Sequence, residues 1–139
     1  MDQAEAKLAA AFDRLAEVDD EDSLLEIEAR RIRARRRAGG VVWFDFAVLC
    51  GGPRSHADYL EIAAQFHTVL LSNVPRMSAG QASEARRFTW LVDVLYDHRI
   101  KFLVSAEAAP AELYAAGVLA NEFARTASRL IEMQSRQYL

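Results

Sequence analysis

The sequence predicts an α/β fold, and three observations carry the prediction. A short apolar strand at about residues 67–72 precedes a helical stripe, Phe88, Leu91, Val92 and Leu95, and a second apolar strand follows at about 100–105. Ahead of this unit, Ser23–Ile27 and Arg30–Arg35 alternate apolar and polar side chains and a third strand follows, so about residues 24–46 read as a β-hairpin or meander. Finally, 139 residues, 52% of them apolar, suit one domain. A chain of that size buries about 70% of its unfolded surface and needs no disulfide or metal to hold a core.

Taken in order, Leu8, Ala11, Phe12 and Leu15 recur at helical spacing, so residues 3–17 read as an amphipathic helix, and residues 1–20 as an N-terminal helical segment ahead of the rest, 21–139. Ser23–Ile27 and Arg30–Arg35 alternate as two strands of a hairpin. Gly39-Gly40 turns the chain into a third strand, Val41–Phe46. Ser55 and Asp58 are spaced as a capping box for a helix whose buried stripe is Tyr59, Ile62, Ala63 and Phe66. Thr68-Val-Leu-Leu is apolar throughout, as a strand covered on both faces must be. Ser78 and Gln81 match a second capping box, opening a helix that runs to about Arg99. A strand, a helix and a strand in that succession require a parallel, right-handed crossover. Pro110 opens a short helix that Gly117 can end, and Asn121 begins the last one, with Phe123, Ala127, Leu130 and Ile131 inward.

Charge is unevenly placed. Residues 1–29 hold ten acids against two bases, and then six arginines occupy the eight positions from Arg30 to Arg37. Such a run can contact a polyanion. The alternation with Ile32 and Ala34 instead favours a solvated strand face, paired with the acidic strand before it. No apolar run approaches the ~20 residues that span a bilayer. The acidic, mixed N-terminus has neither the layout of a secretory signal nor the Arg-rich make-up of a transit peptide. A lone Cys50 fits a reducing interior, and one cysteine with three dispersed histidines makes no zinc ligand set.

Chemical motifs are chiefly excluded. A P-loop requires a lysine after glycine to neutralise phosphate, but Lys7 follows Ala6 and Lys101 follows Ile100, and the chain has no other lysine. Gly-x-Gly-x-x-Gly and Gly-x-Ser-x-Gly do not occur. Asp45, at the end of an apolar strand, resembles a magnesium-binding aspartate, yet Phe46 stands where a second acid belongs; a cap for the turn at 47–49 is the better reading. Ligands of parallel α/β sheets sit beyond the carboxyl ends of the strands. There Asn73 and Ser105 can contact phosphate or water, and Arg76 can contact an anion. Arg86, Arg87, Arg125 and Arg129 are either surface charges and ion-pair members or contacts to the phosphate of a neighbouring chain.

Several ordered blocks carry a family resemblance. Trp43-Phe-Asp-Phe-Ala-Val-Leu-Cys-Gly-Gly-Pro-Arg, Asp58-Tyr-Leu, Phe66-His-Thr-Val-Leu-Leu-Ser-Asn-Val-Pro-Arg, Arg86-Arg-Phe-Thr-Trp-Leu-Val-Asp-Val-Leu-Tyr-Asp and Phe123-Ala-Arg-Thr-Ala-Ser-Arg-Leu-Ile-Glu-Met-Gln-Ser succeed one another. Together they resemble the C-terminal part of the ZapE-like (AFG-type) AAA+ P-loop ATPases, from about Leu24 to Leu139. The resemblance implies a partial P-loop-ATPase-like fold and, for the full-length family, ATP and Mg2+ held by Walker A and B motifs lying N-terminal to the matched part. It also implies a role in cell division at the FtsZ ring or in protein quality control, and a bacterial cytoplasmic or a mitochondrial setting. Ala29-Arg30 departs from the family's Gly-Arg at the hairpin. On the same resemblance Arg86, Arg87, Arg125 and Arg129 are candidate finger or sensor arginines.

Two functional readings follow. In the first, the chain is the C-terminal fragment of such an ATPase, holding no cofactor and hydrolysing no ATP alone. Its partners are then the FtsZ ring or other chains of the ATPase, with a homo-oligomer possible, and not nucleic acid. In the second, it is a stand-alone interaction module whose basic strand Arg30–Arg37 meets a partner or polyanion.

Overall fold

The structure, a computed structural model, describes residues 3–115, 117 and 119–135. Helix α1 (Gln3–Leu15) precedes four short strands, β1 (Leu24–Ile27), β2 (Arg30–Arg33), β3 (Arg36–Ala38) and β4 (Val41–Asp45). Helices α2 (Phe46–Leu49) and α3 (His56–Gln65) lead into β5 (Thr68–Val74), then α4 (Ala82–Asp97), β6 (Lys101–Ala106) and α5 (Ala120–Ser135). Strands β1 and β2 form a separate antiparallel hairpin, and the larger sheet has the order β3-β4-β5-β6. The expected crossover is present: β5 and β6 pair in parallel, with Thr68 opposite Lys101 and Leu71 opposite Val104. Strand β4 is also parallel to β5, with Asp45 opposite Ser72.

Two apolar layers hold the sheet. On one face Leu8 and Phe12 of α1 cover Val41, Trp43 and Leu70. On the other, α3, α4 and α5 bury Val42, Phe44, Val69, Leu71 and Phe102 among Tyr59, Phe88 and Phe123. Strand β5 lies between two strands and two layers, which accounts for its apolar stretch Val69–Leu71. Both capping boxes form: Asp58 Oδ2 accepts the Ser55 N–H at 2.7 Å, and Gln81 Oε1 accepts the Ser78 N–H at 2.8 Å.

Four expectations change. The arginine run is not one strand. The Ala34 N–H donates to the Ser23 carbonyl on the hairpin side, while the next N–H, of Arg35, donates to the Trp43 carbonyl of the main sheet. The chain thus leaves one sheet for the other between adjacent residues, and β2 and β3 are distinct. Helix α1 stops at Leu15. Pro110 opens only a single 3₁₀ turn, Pro110–Glu112, well before Gly117. Ile131 lies outward, 51% exposed, since Leu130 and Met133 already fill the inward face of α5.

Candidate functional site

The carboxyl ends of β4, β5 and β6 meet, as parallel strands require, and present Asp45, Asn73 and Ser105 side by side. Asn73 Nδ2 donates to Asp45 Oδ1 at 2.7 Å, and the Asn73 N–H donates to Ser105 Oγ at 3.0 Å. Asp45 Oδ2 accepts from the Ala47 N–H at 3.2 Å, so the same carboxylate caps α2. Asn73 has a φ of 65°, and the β5–β6 register shifts between Leu71 and Val74. Asparagine tolerates the left-handed region better than most residues, and here that conformation turns its N–H onto the neighbouring strand's hydroxyl. Beyond it the Arg76 N–H donates to Glu107 Oε1 at 2.8 Å, and Arg76 itself is exposed. The structure therefore brings Asn73 and Ser105 into direct contact and sets Arg76 just past them.

The four helix arginines divide into two pairs. Arg86 and Arg87 lie in the first half of α4, on the side of the sheet where β5 ends. Arg86 is exposed. Arg87 Nε donates to the Cys50 carbonyl at 2.7 Å, Arg54 Nε to the Val48 carbonyl at 3.2 Å and the Tyr59 hydroxyl to the Leu49 carbonyl at 2.8 Å. Three successive carbonyls at the end of α2, which no continuing helix satisfies, are thus closed by side chains. Burial pushes the Cys50 thiol up to about 12 and raises the Tyr59 phenol as well. Arg125 and Arg129 are on α5 and face the later turns of α4, where Asp93 joins both: Arg129 Nη1 at 2.5 Å and Arg125 Nη2 at 3.9 Å. The Arg129 guanidinium also lies over the Tyr96 ring, 4.9 Å from its centroid.

The basic run is largely occupied too. Arg30 pairs with buried Asp58 at 2.6 Å, and Arg35 with Glu5 at 2.7 Å. Arg36 pairs with Asp13 and with Asp20, each at 2.9 Å, and Arg37 approaches Glu21 at 4.0 Å. Arg35 lies over Trp43 and Arg36 over Phe12, at 4.6 and 4.2 Å from the ring centroids. Arg35, Arg36 and Arg37 are therefore partners of the acidic N-terminal segment and Arg30 of α3, while Arg31 and Arg33 stand outward on the hairpin, Arg33 donating to Ser23 Oγ at 3.3 Å.

Reading the sequence alone misses the link from Asp45 to Asn73 and the role of Glu107. Asp45 was legible as a cap; its second oxygen goes to a residue 28 positions away, chosen by strand order. The family model described as AFG1-like ATPase matches residues 1–139. The chain is similar to Cell division protein ZapE of Escherichia coli (strain K12), 43% identical over 115 residues, which covers 83% of this chain and 31% of that protein. It is also similar to Lactation elevated protein 1 homolog B of Danio rerio, 31% identical over 170 aligned positions, covering 97% of this chain and 34% of that one. The chain thus spans about a third of the length of these curated relatives. No solved structure matches it.

Proposed function

Since this chain belongs to the AFG1-like ATPase family, we propose that its residues serve ATP hydrolysis as a section that presents arginine to nucleotide held elsewhere. The nucleotide-bearing part is in the same polypeptide or a neighbouring one. In this reading the 139 residues bind and hydrolyse no ATP alone, because the two lysines follow alanine and isoleucine and cannot complete a phosphate-cradling loop. ATP and Mg2+ belong to the assembled enzyme. The name of the bacterial relative, a cell division protein, extends the proposal to cell division, with the FtsZ ring as the partner that the resemblance implies and the bacterial cytoplasm as the setting. Among the described residues no helix is long and apolar enough to cross a membrane.

The observation that carries the reading is the unequal engagement of the candidate arginines. Arg87 closes a backbone carbonyl and Arg129 is held by Asp93 and Tyr96, whereas Arg86 is exposed in the early turns of α4, the helix that follows the end of β5 where Asn73 and Arg76 lie; Arg125, also exposed, reaches Asp93 at 3.9 Å from the far end of that helix pair. Arg86 is therefore the proposed phosphate contact, with Arg76 as a second cation, and Arg87 and Arg129 position the helices that carry them. A guanidinium reaching a transferring phosphoryl group stabilises its charge bidentately, which lysine cannot do. The alternative, a polyanion-binding strand at Arg30–Arg37, loses four of its six charges to intramolecular acids.

The test is ATP turnover in a full-length relative carrying alanine at the position of Arg86. Turnover is expected to fall by about tenfold or more with unchanged thermal stability, since contributions of catalytic arginines reach far higher. Alanine at the position of Arg87 is expected to lower stability first. Unchanged turnover in the first variant, or turnover by this isolated chain, overturns the reading.

A further inference from the structure

Strand β6 is the outer strand of the four-stranded sheet, and its far edge is unpaired among the described residues. The Lys101 N–H donates inward to the His67 carbonyl and the Glu107 N–H inward to the Val74 carbonyl. Alternation along a strand therefore turns the backbone groups of Phe102, Val104 and Ala106 outward. One of these is covered lightly: Gln134 Nε2 donates to the Phe102 carbonyl at 3.2 Å. The edge lies in a groove of about 190 Å3 between α1 and α5, lined by Leu8, Leu103, Met133 and Gln134. Leu103 and Val104 are only partly buried, and exposed Ile131 lies one turn before Gln134 on the same stripe of α5. An unpaired strand edge flanked by apolar side chains is a template for a further strand.

We propose that this edge pairs with the β6 edge of a second copy of the chain, antiparallel, with Val104 on the twofold axis. The occupant follows from the charges. The outward groups sit on even-numbered residues, so an antiparallel self-pair keeps them bonded only in registers whose paired residue numbers sum to an even value. The register centred on Val104 joins Val104 to its own copy and Phe102 to Ala106 by hydrogen bonds, and sets Lys101 directly opposite Glu107 of the second copy. The twofold repeats that pair. Shifting the centre by one residue to either side replaces both ion pairs with Lys101 opposite Ser105 or opposite Ala109. Glu107 gives Oε1 to the Arg76 N–H and is exposed, leaving Oε2 for the lysine. Because the axis is perpendicular to the sheet, α5 meets α5 and the two Ile131 side chains approach on one face. Gln134 then acts as a gate, since its hold on the Phe102 carbonyl must be released before pairing.

Sedimentation velocity of the full chain across about 5–500 μM reads the association, which should be weak and reversible because a single strand edge buries little area. Lys101→Glu should weaken the dimer about tenfold by turning two attractive cross-strand pairs repulsive, and Glu107→Lys should do the same. The double exchange Lys101→Glu with Glu107→Lys should restore it. Val104→Pro removes an outward N–H without touching the β5 ladder and should abolish the dimer, and Gln134→Ala should tighten it. A monomer throughout the range overturns the proposal. So does a dimer indifferent to the single charge reversals, or one the double exchange fails to restore; that last result would place some other partner on the edge. These readouts do not involve ATP, so their failure leaves the proposed role of Arg86 standing, and the converse.

Discussion

Glu28, Ala29, Asn73 and Arg99 are the described non-glycine residues that hold a positive φ. Each left-handed residue with a Cβ costs about 1–2 kcal/mol. Glu28 and Ala29, at 51° and 63°, are the two central residues of the β1–β2 hairpin and make the mirror-image turn whose twist matches paired strands. Glycine suits this conformation without strain, and Ala29 occupies it with a Cβ. Ala29→Gly is expected to raise unfolding stability by about 0.5–1 kcal/mol, the relief of the Cβ clash less the added freedom of the unfolded chain. Denaturant titration checks it; an equal or lower midpoint would mean that the turn is not of this type. Asn73 was visible as a strand-end residue, but its conformation was not, because it depends on the register shift against β6.

At the scale of elements, the clamp between α1 and β3 is the chief tertiary device. Leu8 and Phe12 supply burial and Arg36 the polar lock, bonding Asp13 and Asp20 while covering the Phe12 ring. The hydrogen bond from Arg36 holds the Asp20 carboxyl below its ordinary value of 3.8 and raises the guanidinium in turn. A carboxyl whose folded pKa is depressed adds stability above its unfolded pKa and loses it as pH falls through the folded one. Arg36→Ala is therefore expected to cost about 1–2 kcal/mol near neutral pH, from half-exposed ion pairs and a cation–ring contact. The share of the difference that the ion pairs supply should start to shrink near pH 3.8 and be gone below the depressed value, leaving the share of the cation–ring contact. Parallel urea titrations at pH 7 and pH 3 measure it; a gap undiminished at the lower pH would assign the loss to packing alone. The helices themselves were plain in the sequence, since the stripes Tyr59–Ile62–Ala63–Phe66 and Phe88–Leu91–Val92–Leu95 are buried as their spacing indicates. The break between β2 and β3 was not, because Arg31–Arg35 alternates straight through the point, between Ala34 and Arg35, at which the ladder changes partner.

For the molecule as a whole, Cys50 reports cohesion. It is fully buried beneath the α2 loop, beside Tyr59, with its carbonyl held by Arg87, and its thiol is raised by burial to about 12. A thiol in that state is neither accessible nor ionised at pH 8. A thiol reagent should therefore modify the folded chain only at the rate of opening, orders of magnitude below that of the unfolded chain, and Arg87→Ala should accelerate it by about tenfold through local opening. Labelling at the unfolded rate under native conditions would show the loop unpacked. The sequence by itself determined the order of elements, the buried stripes, the parallel crossover, the cap at Asp45 and the lack of a phosphate-binding lysine. All of these rest on local spacing, which is written into the chain. Tertiary structure alone decided which acid each arginine meets, that Asn73 joins Asp45 to Ser105, and that β6 has no further strand beside it among the described residues. Those depend on which distant segments pack side by side, and many partners with the same charge or polarity satisfy the same local pattern.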